Sequence, residues 1–242
     1  PVPSNGPNAA SGYTNTNRPT FSGTAPPYST VQIFARPSSV DVNEPLGYAI
    51  ASTTGQWSLA AGPLADGIYS VTAVVTPPSG YPGPMQLLAN NGRVVIDTVA
   101  PKVVGISNSG AGQVTVYFRD DLSGMNFTSL SNTSNYAFAG PRRLGFSPTS
   151  AAAVPAGSLP TDVVGVVLTI PGNRRTWAMV QGLRITGTNP VGGAGGANLG
   201  ITDNAGNPLQ GYYGKLVSSA SGRAGGNYHV KIRLPVFRGK RH

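Results

Sequence analysis

The stretch ADGIYSVTAVVTP (residues 65–77) decides the fold class of this chain. Asp66–Gly67 is a tight-turn signal, and the residues that follow alternate with the period of two expected of a β-strand. Tyr69, Val71 and Ala73 lie on one face of that strand, with more polar neighbours on the other. The stretch therefore predicts a turn followed by a strand that buries one face.

Similar runs recur about every ten residues on either side, a spacing typical of a β-sandwich. In the first hundred residues they are TVQIFARP (30–37), LGYAIAS (46–52), WSLAAG (57–62), MQLLA (85–89) and RVVIDT (93–98). A second series consists of KVVGISNS (102–109), QVTVYFRD (113–120), YAFAG (136–140), VVGVVLTI (163–170), WAMVQGLRITG (177–187) and NYHVKIRLPVF (227–237). The polar segment PGNRRT (171–176) reads as a loop, and FTSLSNTSNY (127–136) as a possible helical turn.

The segment DTVAP (97–101) separates the two series, and its proline disfavours continuation of a central strand. The sequence therefore predicts an all-β protein of two tandem Ig-like β-sandwich domains joined by a short proline-containing junction. The predicted parts are an extended N-terminal arm (1–16), a first sandwich (17–100), a second sandwich (101–237) closed by strand 227–237, and a basic tail (238–242). Donation of strand 227–237 to a neighbouring molecule is the alternative use of that segment.

The composition excludes several classes of protein. The 242 residues include 33 Gly and 22 Pro but only 10% charged residues, against about 25% in an ordinary soluble domain, which argues against a helical bundle or coiled coil. No run of about 18 apolar residues predicts a transmembrane helix. The chain contains no Cys, so disulfides and thiolate zinc sites are excluded. The first residues show no signal peptide, which indicates that one was removed or that the chain is part of a longer one.

Catalysis is not expected from the chemically active residues of the chain. The two histidines are His229, on the polar face of a predicted strand, and the terminal His242. Asp120–Asp121 is the only adjacent pair among eight acidic residues, and neighbours on a strand point to opposite faces. No nucleophile-elbow motif is present, and the glycine tract 189–200 lacks the lysine of a phosphate loop. The prediction is a protein that is not an enzyme.

Calcium is the one cofactor that the sequence suggests. Hard cations prefer carboxylate, amide and carbonyl oxygens, and ITDNAGNP (201–208) offers Asp203, Asn204 and Asn207. Asp97 at the predicted junction is a further candidate ligand, and Asp120–Asp121 lie in another acidic loop. The alternative is that these side chains close turns by bonding their own backbone.

Basic residues suggest an anionic partner. The net charge is +9, and the last 21 residues carry six basic and no acidic side chains. The candidate contacts to a polysaccharide or other polyanion are the loop pairs Arg142–Arg143 and Arg174–Arg175, with Lys231 and Arg233 near the C-terminus. Solvated surface charge is the alternative, and no specific nucleic-acid ligand is expected. The aromatic candidates for stacking on sugars are Tyr81 and Tyr212–Tyr213, whereas Trp57 and Trp177 are expected in the cores.

The motifs of the first series together resemble a bacterial Ig-like repeat over residues 7–101: NTNRPTFSGTAPPYSTVQIFA (15–35), GQWSL (55–59), ADGIYSVTAVV (65–75) and IDTVAP (96–101). The second series resembles an S-layer-type bacterial Ig-like domain over residues 101–237, through PKVVGIS (101–107), QVTVYF (113–118), LTIPG (168–172) and ITDNAGNPL (201–209). Such domains occur in large secreted or surface-anchored bacterial proteins, including adhesins.

The resemblance implies a secreted or cell-surface location and a structural role as a spacer, an adhesion module or a building block of an extracellular assembly. The expected partners are neighbouring Ig-like domains, copies of the same chain or cell-surface polysaccharide. It implies no catalytic residues. Two further functions remain open from the residues: binding of a carbohydrate or polyanion through the arginines and the basic C-terminal region, and assembly of filaments by exchange of terminal strands.

Overall fold

The computed structural model describes residues 11–87, 90–110, 112–140, 145–155, 157–187, 200–214 and 227–232. The chain divides into two compact units, Pro1–Val99 with Asn204–Gly206 and Ala100–Asp203 with Asn207–His242. Strands packed into sandwiches dominate the described residues, which confirms the predicted all-β class.

The first unit contains eight described strands. They are β1 (Tyr13–Thr14), β2 (Thr20–Thr24), β3 (Thr30–Pro37), β4 (Glu44–Ile50), β5 (Gln56–Ala60), β6 (Gly67–Thr76), β7 (Gln86–Leu87) and β8 (Arg93–Ile96), with a 3-10 segment at Asn90–Gly92. One sheet has the order β1-β8-β6-β3-β4, with β7 also paired to β6, and β2 pairs with β5 in a second sheet.

A single apolar core joins these two sheets. Val31 and Ile33 of β3 and Val71 of β6 are fully buried together with Phe21 of β2 and Trp57 of β5. Every second residue of β3 points into this core, as the alternation in the sequence predicts. Burial of each such side chain contributes about 1.5–3 kcal/mol to folding, which makes this face the main stabilising feature of the unit.

The beginning of the first unit is part of its main sheet. Residues 1–16 were expected to form an extended arm, and the first ten lie outside the described residues. Tyr13 and Thr14 form β1, which pairs in parallel with Val95 and Ile96 of β8. Thr14 is fully buried. Within the described residues 11–16, Tyr13 and Thr14 therefore form a strand of the sandwich.

The second unit contains nine described strands and two short helices. The strands are β9 (Lys102–Gly110), β10 (Gln113–Arg119), β11 (Tyr136–Ala139), β12 (Gly145–Phe146), β13 (Ser150–Ala153), β14 (Val163–Thr169), β15 (Gly182–Ile185), β16 (Tyr212–Gly214) and β17 (Tyr228–Lys231); the helices are α1 (Phe127–Ser131) and α2 (Arg174–Ala178), with a 3-10 segment at Thr133–Asn135. One sheet has the order β13-β14-β10-β9, and the other β12-β11-β15-β17-β16.

Large side chains from both sheets fill the core of the second unit. Phe118 of β10 and Leu168 of β14 belong to the same buried cluster as Tyr136 and Phe138 of β11 and Tyr228 of β17. Each of these side chains is at most 1% exposed. The Tyr136 hydroxyl donates to the carbonyl of Leu130 at 2.8 Å, so this buried polar atom has a partner.

Helix α2 differs from the sequence prediction, which places a loop at residues 171–176 and a strand from Trp177. The side chain of Asn173 starts the helix by accepting from the backbone amides of Arg175 at 3.0 Å and Thr176 at 3.4 Å. The strand β15 begins only at Gly182. A helix of five residues is too short to show an apolar period of 3.6, so a local cap decided its formation.

Trp177, on α2, packs against the hairpin turn between β9 and β10. Its indole Nε1 donates to the carbonyl of Ile170 at 3.2 Å. Its ring lies so close to Gly112 that an added Cβ there would sit 2.4 Å from it, and Gly112 has a φ of +75°. The indole is partly buried against the core, while Trp57 of the first unit is 5% exposed. Both tryptophans therefore serve packing.

The last described strand, β17, lies inside its sheet. It pairs antiparallel with β15 and parallel with β16, so β16 rather than β17 is the outer strand. The sequence predicted that segment 227–237 covers an edge; its described part has a neighbour on each side, and residues 233–237 lie outside the described residues. Tyr228, Val230 and Ile232 are buried on one face, as predicted.

Candidate functional site

Asp203 and Asn207 close a buried turn in the second unit. The backbone amide of Asn207 donates to Asp203 Oδ1 at 2.8 Å, and its side-chain Nδ2 donates to Oδ2 at 2.7 Å. Asp203 is fully buried, and Asn207 is 6% exposed. Asp203 therefore closes a turn by accepting from Asn207, which is one of the two alternatives given for this motif.

Asp120 closes a second turn at the end of β10. Its Oδ2 accepts from the backbone amides of Gly124 at 2.6 Å and Leu122 at 3.3 Å, and from the Ser123 hydroxyl at 3.3 Å. Asp120 is 6% exposed, whereas its neighbour Asp121 is exposed and lies 3.7 Å from the Lys102 ammonium. The two adjacent carboxylates thus have different environments, as expected of neighbours on an extended chain.

These two turns lie together within the second unit. An isolated β-bridge joins Met125 to Asp203, and one carboxylate oxygen of Asp120 lies within 4.8 Å of one of Asp203. Two buried carboxylates at this distance repel one another unless a cation or a proton intervenes. Oxygen donors in this arrangement match the chemistry of a hard cation such as Ca²⁺.

Helix α1 is hydrogen-bonded to the residue that precedes the Asp203 turn. The Ser129 hydroxyl donates to the carbonyl of Asn126 at 2.8 Å and accepts from the backbone amide of Thr202 at 3.1 Å. The backbone amide of Asn126 donates to the carbonyl of Thr202 at 3.1 Å. These bonds hold Thr202 against the helix, and they therefore fix the position of the backbone of Asp203, the next residue in the chain.

Asp97 belongs to the first unit and is 1% exposed. Its Oδ1 accepts from the backbone amide of Val99 at 3.1 Å, and its own amide donates to the carbonyl of Thr14 at 3.0 Å. Next to it, the amide and hydroxyl of Thr98 donate to the carboxylate of Asp66. The side chain of Asp97 therefore forms an Asx turn, and its role as a calcium ligand stays a prediction.

The structure describes only some of the predicted basic contact residues. Arg174 and Arg175 are exposed in the first turn of α2, and Lys231 is exposed at the end of β17. Arg142, Arg143 and Arg233 lie outside the described residues. The described side chains thus stand on two different elements.

His229 lies next to a positive charge on the neighbouring strand. It is half-buried on β17, directly opposite Arg184 of β15 in the strand register. Burial, and then the charge of Arg184, lower the pKa of His229 below its ordinary value. The charge of the arginine opposite disfavours the imidazolium form, which is the form that acts as a general acid.

Among the aromatic candidates for a sugar ligand, Tyr81 is 83% exposed in the loop after β6. The backbone of Tyr212 and Tyr213 lies in β16, but the side chains of these two residues are not among the described parts of the structure. No helix in the described ranges is long and apolar enough to cross a membrane.

Sequence reasoning named Asp120 only as part of an acidic loop and did not consider Ser129. The signal for Asp120 is the segment DDLSG (120–124), where an aspartate precedes a turn of small residues. Ser129 gave no signal, because its partner Thr202 is 73 positions away in the chain.

Comparison with known proteins places a family match in the first unit. Residues 4–98 match the family model of the bacterial Ig-like domain. No curated protein matches the chain. The first unit is therefore similar to a family of structural surface modules.

Proposed function

We propose that the chain is a non-catalytic structural part of a bacterial extracellular or cell-surface protein, in which it acts as a spacer or as a building block of a surface assembly. The observation that carries this proposal is the pair of apolar cores, each enclosed between two sheets, in units whose first is similar to a bacterial Ig-like domain. The buried carboxylates of Asp97, Asp120 and Asp203 all accept hydrogen bonds within turns, which is a structural use.

Antibody labelling of the bacterium that makes the protein tests its location and role. Antibodies raised against the purified chain should label intact cells or the cell-free medium. Deletion of the segment encoding residues 11–232 should weaken the surface layer or adhesion without loss of any enzymatic activity. Labelling that appears only after the cells are permeabilised would contradict the proposal.

Calcium binding in the second unit is a second proposal, supported by the two buried carboxylates within 4.8 Å of each other. A ligand that binds only the native state at a hundred times its dissociation constant raises the free energy of unfolding by about 2.7 kcal/mol. We expect Ca²⁺ to raise the melting temperature of the full chain and a chelator to reverse the rise. Asp203→Asn and Asp120→Asn should abolish the rise, and Asp97→Asn tests separately the other carboxylate that the sequence predicts as a ligand.

Asp162→Asn is the matched control for calcium binding. This carboxylate lies 2.8 Å from Arg119 Nε and its side chain is 41% exposed, so it lacks the buried oxygen donors. The control should keep the full response to Ca²⁺. An equal response in Asp162→Asn and Asp203→Asn, or no response in the unmodified chain, would refute the metal proposal.

Binding of a polyanion is supported by the exposed Arg174, Arg175 and Lys231 and by the net charge of +9. We expect the chain to be retained on heparin, and the double change Arg174→Ser and Arg175→Ser to lower the salt concentration of elution. Removal of residues 233–242 separates the contribution of the basic tail. The matched control is Arg18→Ser with Arg36→Ser in the first unit, which removes the same charge. Equal shifts in both double variants would show that net charge alone causes retention.

A further inference from the structure

We infer that the first unit binds an uncharged polysaccharide on the outer side of its main sheet, at the end where β3 begins and β4 ends. The inference deepens the proposed function and rests on it, because it names a ligand for a structural module at a cell surface. The surface that carries it is called the outer patch and consists of Tyr28, Thr30, Gln32, Tyr48 and Ile50.

Tyr28 has a backbone conformation that tyrosine rarely adopts. Its φ of +61° lies in the left-handed region, which an L side chain enters only at a cost and which glycine enters freely. Tyr28 follows Pro27 in a turn that is closed by the amide of Ser29, which donates to the carbonyl of Pro26 at 3.1 Å. A turn with proline at its second position favours glycine at the third, and Tyr28 occupies that third position.

The ring of Tyr28 is at the surface, so burial does not explain its presence in a strained turn. Tyr28 is 62% exposed, whereas the next residue, Ser29, is fully buried. The backbone fixes Tyr28 beside β4, because its amide donates to the carbonyl of Ala51 at 3.0 Å and the amide of Ala51 donates to the carbonyl of Ser29 at 2.9 Å. A bulky residue held in this way at the surface indicates a role beyond folding.

Tyr48 and Ile50 continue the exposed surface along β4. They are 68% and 63% exposed and lie two residues apart on one strand, so they share a face at a spacing of about 7 Å. Gln32 and Thr30 of β3 stand opposite them in the register. The outer patch therefore combines two tyrosine rings and an isoleucine with an amide and a hydroxyl group.

The surroundings of the outer patch favour a ligand without charge. None of the strand positions paired with Thr30 or Gln32 carries a charged residue; these positions are Ile50 and Tyr48 on β4 and Thr76 and Val74 on β6. Arg36 lies four positions further along β3 and forms an ion pair with Asp41. A polyanion would thus find no cation among the residues of the patch.

A chain of sugar rings matches these groups. The apolar face of a sugar stacks on an aromatic ring, and its hydroxyls bond to amide and hydroxyl groups beside the ring. The size of the patch argues against a second protein, because a stable protein interface takes about 20–30 residues from each side. An open sheet face also fits an extended chain better than a small molecule, which binds in a concave pocket.

Binding of surface polysaccharide in two fractions tests the inference. Polysaccharide released from the bacterium that makes the protein is separated on an anion exchanger into a neutral fraction, which passes through, and an acidic fraction, which is retained. Electrophoresis of the full chain in native gels that contain one fraction measures association. We expect the neutral fraction to retard the chain, and periodate oxidation of its sugars to abolish the effect.

Two outcomes of this assay would overturn the inference. The first is the absence of retardation by the neutral fraction. The second is retardation that survives periodate but is lost after the fraction is digested with a protease, since the ligand would then be a protein.

Substitution of Tyr28 separates binding from folding. Tyr28→Gly removes the ring and relieves the left-handed strain, so it should raise the melting temperature while it lowers the association constant about tenfold. Tyr28→Phe keeps the ring and should bind within about threefold of the wild type. A lower melting temperature in Tyr28→Gly with unchanged binding would show that the ring serves folding, and would contradict the inference.

Tyr48→Ala tests the second ring, and Phe127→Ala is its matched control. Both residues are exposed aromatics, but Phe127 lies in the second unit and is 58% exposed. Tyr48→Ala should lower the association constant about tenfold, and Phe127→Ala should leave it unchanged. Circular dichroism on each variant verifies that it is folded. Equal loss of binding in the two variants would refute the assignment to the outer patch.

The outcomes also distinguish this inference from the proposed function. A purified chain that does not bind the neutral fraction, in a protein that still labels the surface of intact cells, would refute the ligand and leave the structural function standing. Absence of the protein from the surface and the medium would refute the structural function instead.

Discussion

The two units belong to the same fold class but differ in how far their buried polar groups are hydrogen-bonded. In the first unit the hydroxyl oxygens of Ser29 and Thr72 are buried with no hydrogen-bond partner among the described residues. In the second unit Asp120 and Asp203 accept at least five hydrogen bonds between them, and Ser129 bridges α1 to Thr202. Both units thus contain a buried aspartate that closes a turn, Asp97 in the first, but the second shows more such bonds, and the first also buries two hydroxyls without a described partner.

This difference follows from how the loops run. The described connections between the strands of the first unit are short, and the longest of them is residues 77–85. The second carries the long connection 120–135 and the described segment 200–211, and parts of both are buried. A buried loop needs internal partners for its backbone amides, and carboxylates supply strong acceptors. Two of the turns closed by aspartate, at Asp120 and Asp203, therefore lie in the longer connections.

Removal of a large core side chain should have the greatest effect, and it tests whether packing dominates in both units. Phe118→Ala in the second unit and Phe21→Ala in the first, both fully buried, should each lower the free energy of unfolding by about 3–5 kcal/mol. Each unit holds one tryptophan, Trp57 or Trp177, so fluorescence in chains with the other replaced by Phe follows each unit separately.

Phe127→Ala is the control for these core variants, because Phe127 is 58% exposed. Its cost should stay below about 0.5 kcal/mol, the usual range for a surface change. A cost for Phe127→Ala similar to that of Phe118→Ala would show that burial does not set the stability of the second unit.

Alkaline pH should lower the stability of the two units to different extents, because their buried tyrosines differ. Burial raises the pKa of Tyr136 far above its ordinary value of about 10, whereas that of Tyr69 is raised by partial burial and by the charges of Glu44 and Asp66. Above pH 10 the unfolded chain loses the phenol proton while the native state keeps it, so stability is complete below pH 10 and falls as the pH rises. The slope contributed by Tyr136 approaches about 1.4 kcal/mol per pH unit.

Tyr136→Phe should cost about 1–2 kcal/mol at pH 7, because the carbonyl of Leu130 loses its donor. The same variant should remove the Tyr136 share of the alkaline slope, measured by urea denaturation at pH 9 to 11. Tyr69→Phe removes a bond of the same length, 2.8 Å to the carbonyl of Ala65, and should change the slope less. Identical slopes in wild type and Tyr136→Phe would contradict this assignment.

The last comparison uses one serine-to-alanine change in each unit. Ser129→Ala removes the hydroxyl that donates to Asn126 and accepts from Thr202, and should cost about 1–2 kcal/mol. Ser29→Ala removes a buried hydroxyl without a partner among the described residues, and should change stability by less than about 0.5 kcal/mol or increase it. A larger loss for Ser29→Ala in thermal melting would reverse the comparison between the units.

Local patterns identified most of the longer strands, but not β1, β12, β13 or β16. Val31 and Ile33, and again Val230 and Ile232, are buried at every second position as the alternation predicts. Helix α2 escaped prediction because a single turn capped by Asn173 leaves no periodic signal. The parallel pairing of Tyr13 with Val95 also escaped, because nothing in either segment specifies a partner about 80 positions away.

For the candidate site, the sequence indicated Asp203, Asn204 and Asn207, either as calcium ligands or as residues that close a turn. The structure shows the turn bonds between Asp203 and Asn207, and it adds Asp120, which the sequence could place only in an unspecified loop. Calcium binding by these residues stays a prediction. The approach of two loops depends on the packing of the strands that carry them.

The sequence by itself determined the all-β class, the strands that bury a face, and the scarcity of catalytic groups, because alternation and composition are local properties of the chain. Only the tertiary structure decided that β1 pairs with β8, that Ser129 reaches Thr202 and that Asp120 approaches Asp203. Such contacts join residues far apart in the chain, and they form where burial of the apolar faces brings the strands together.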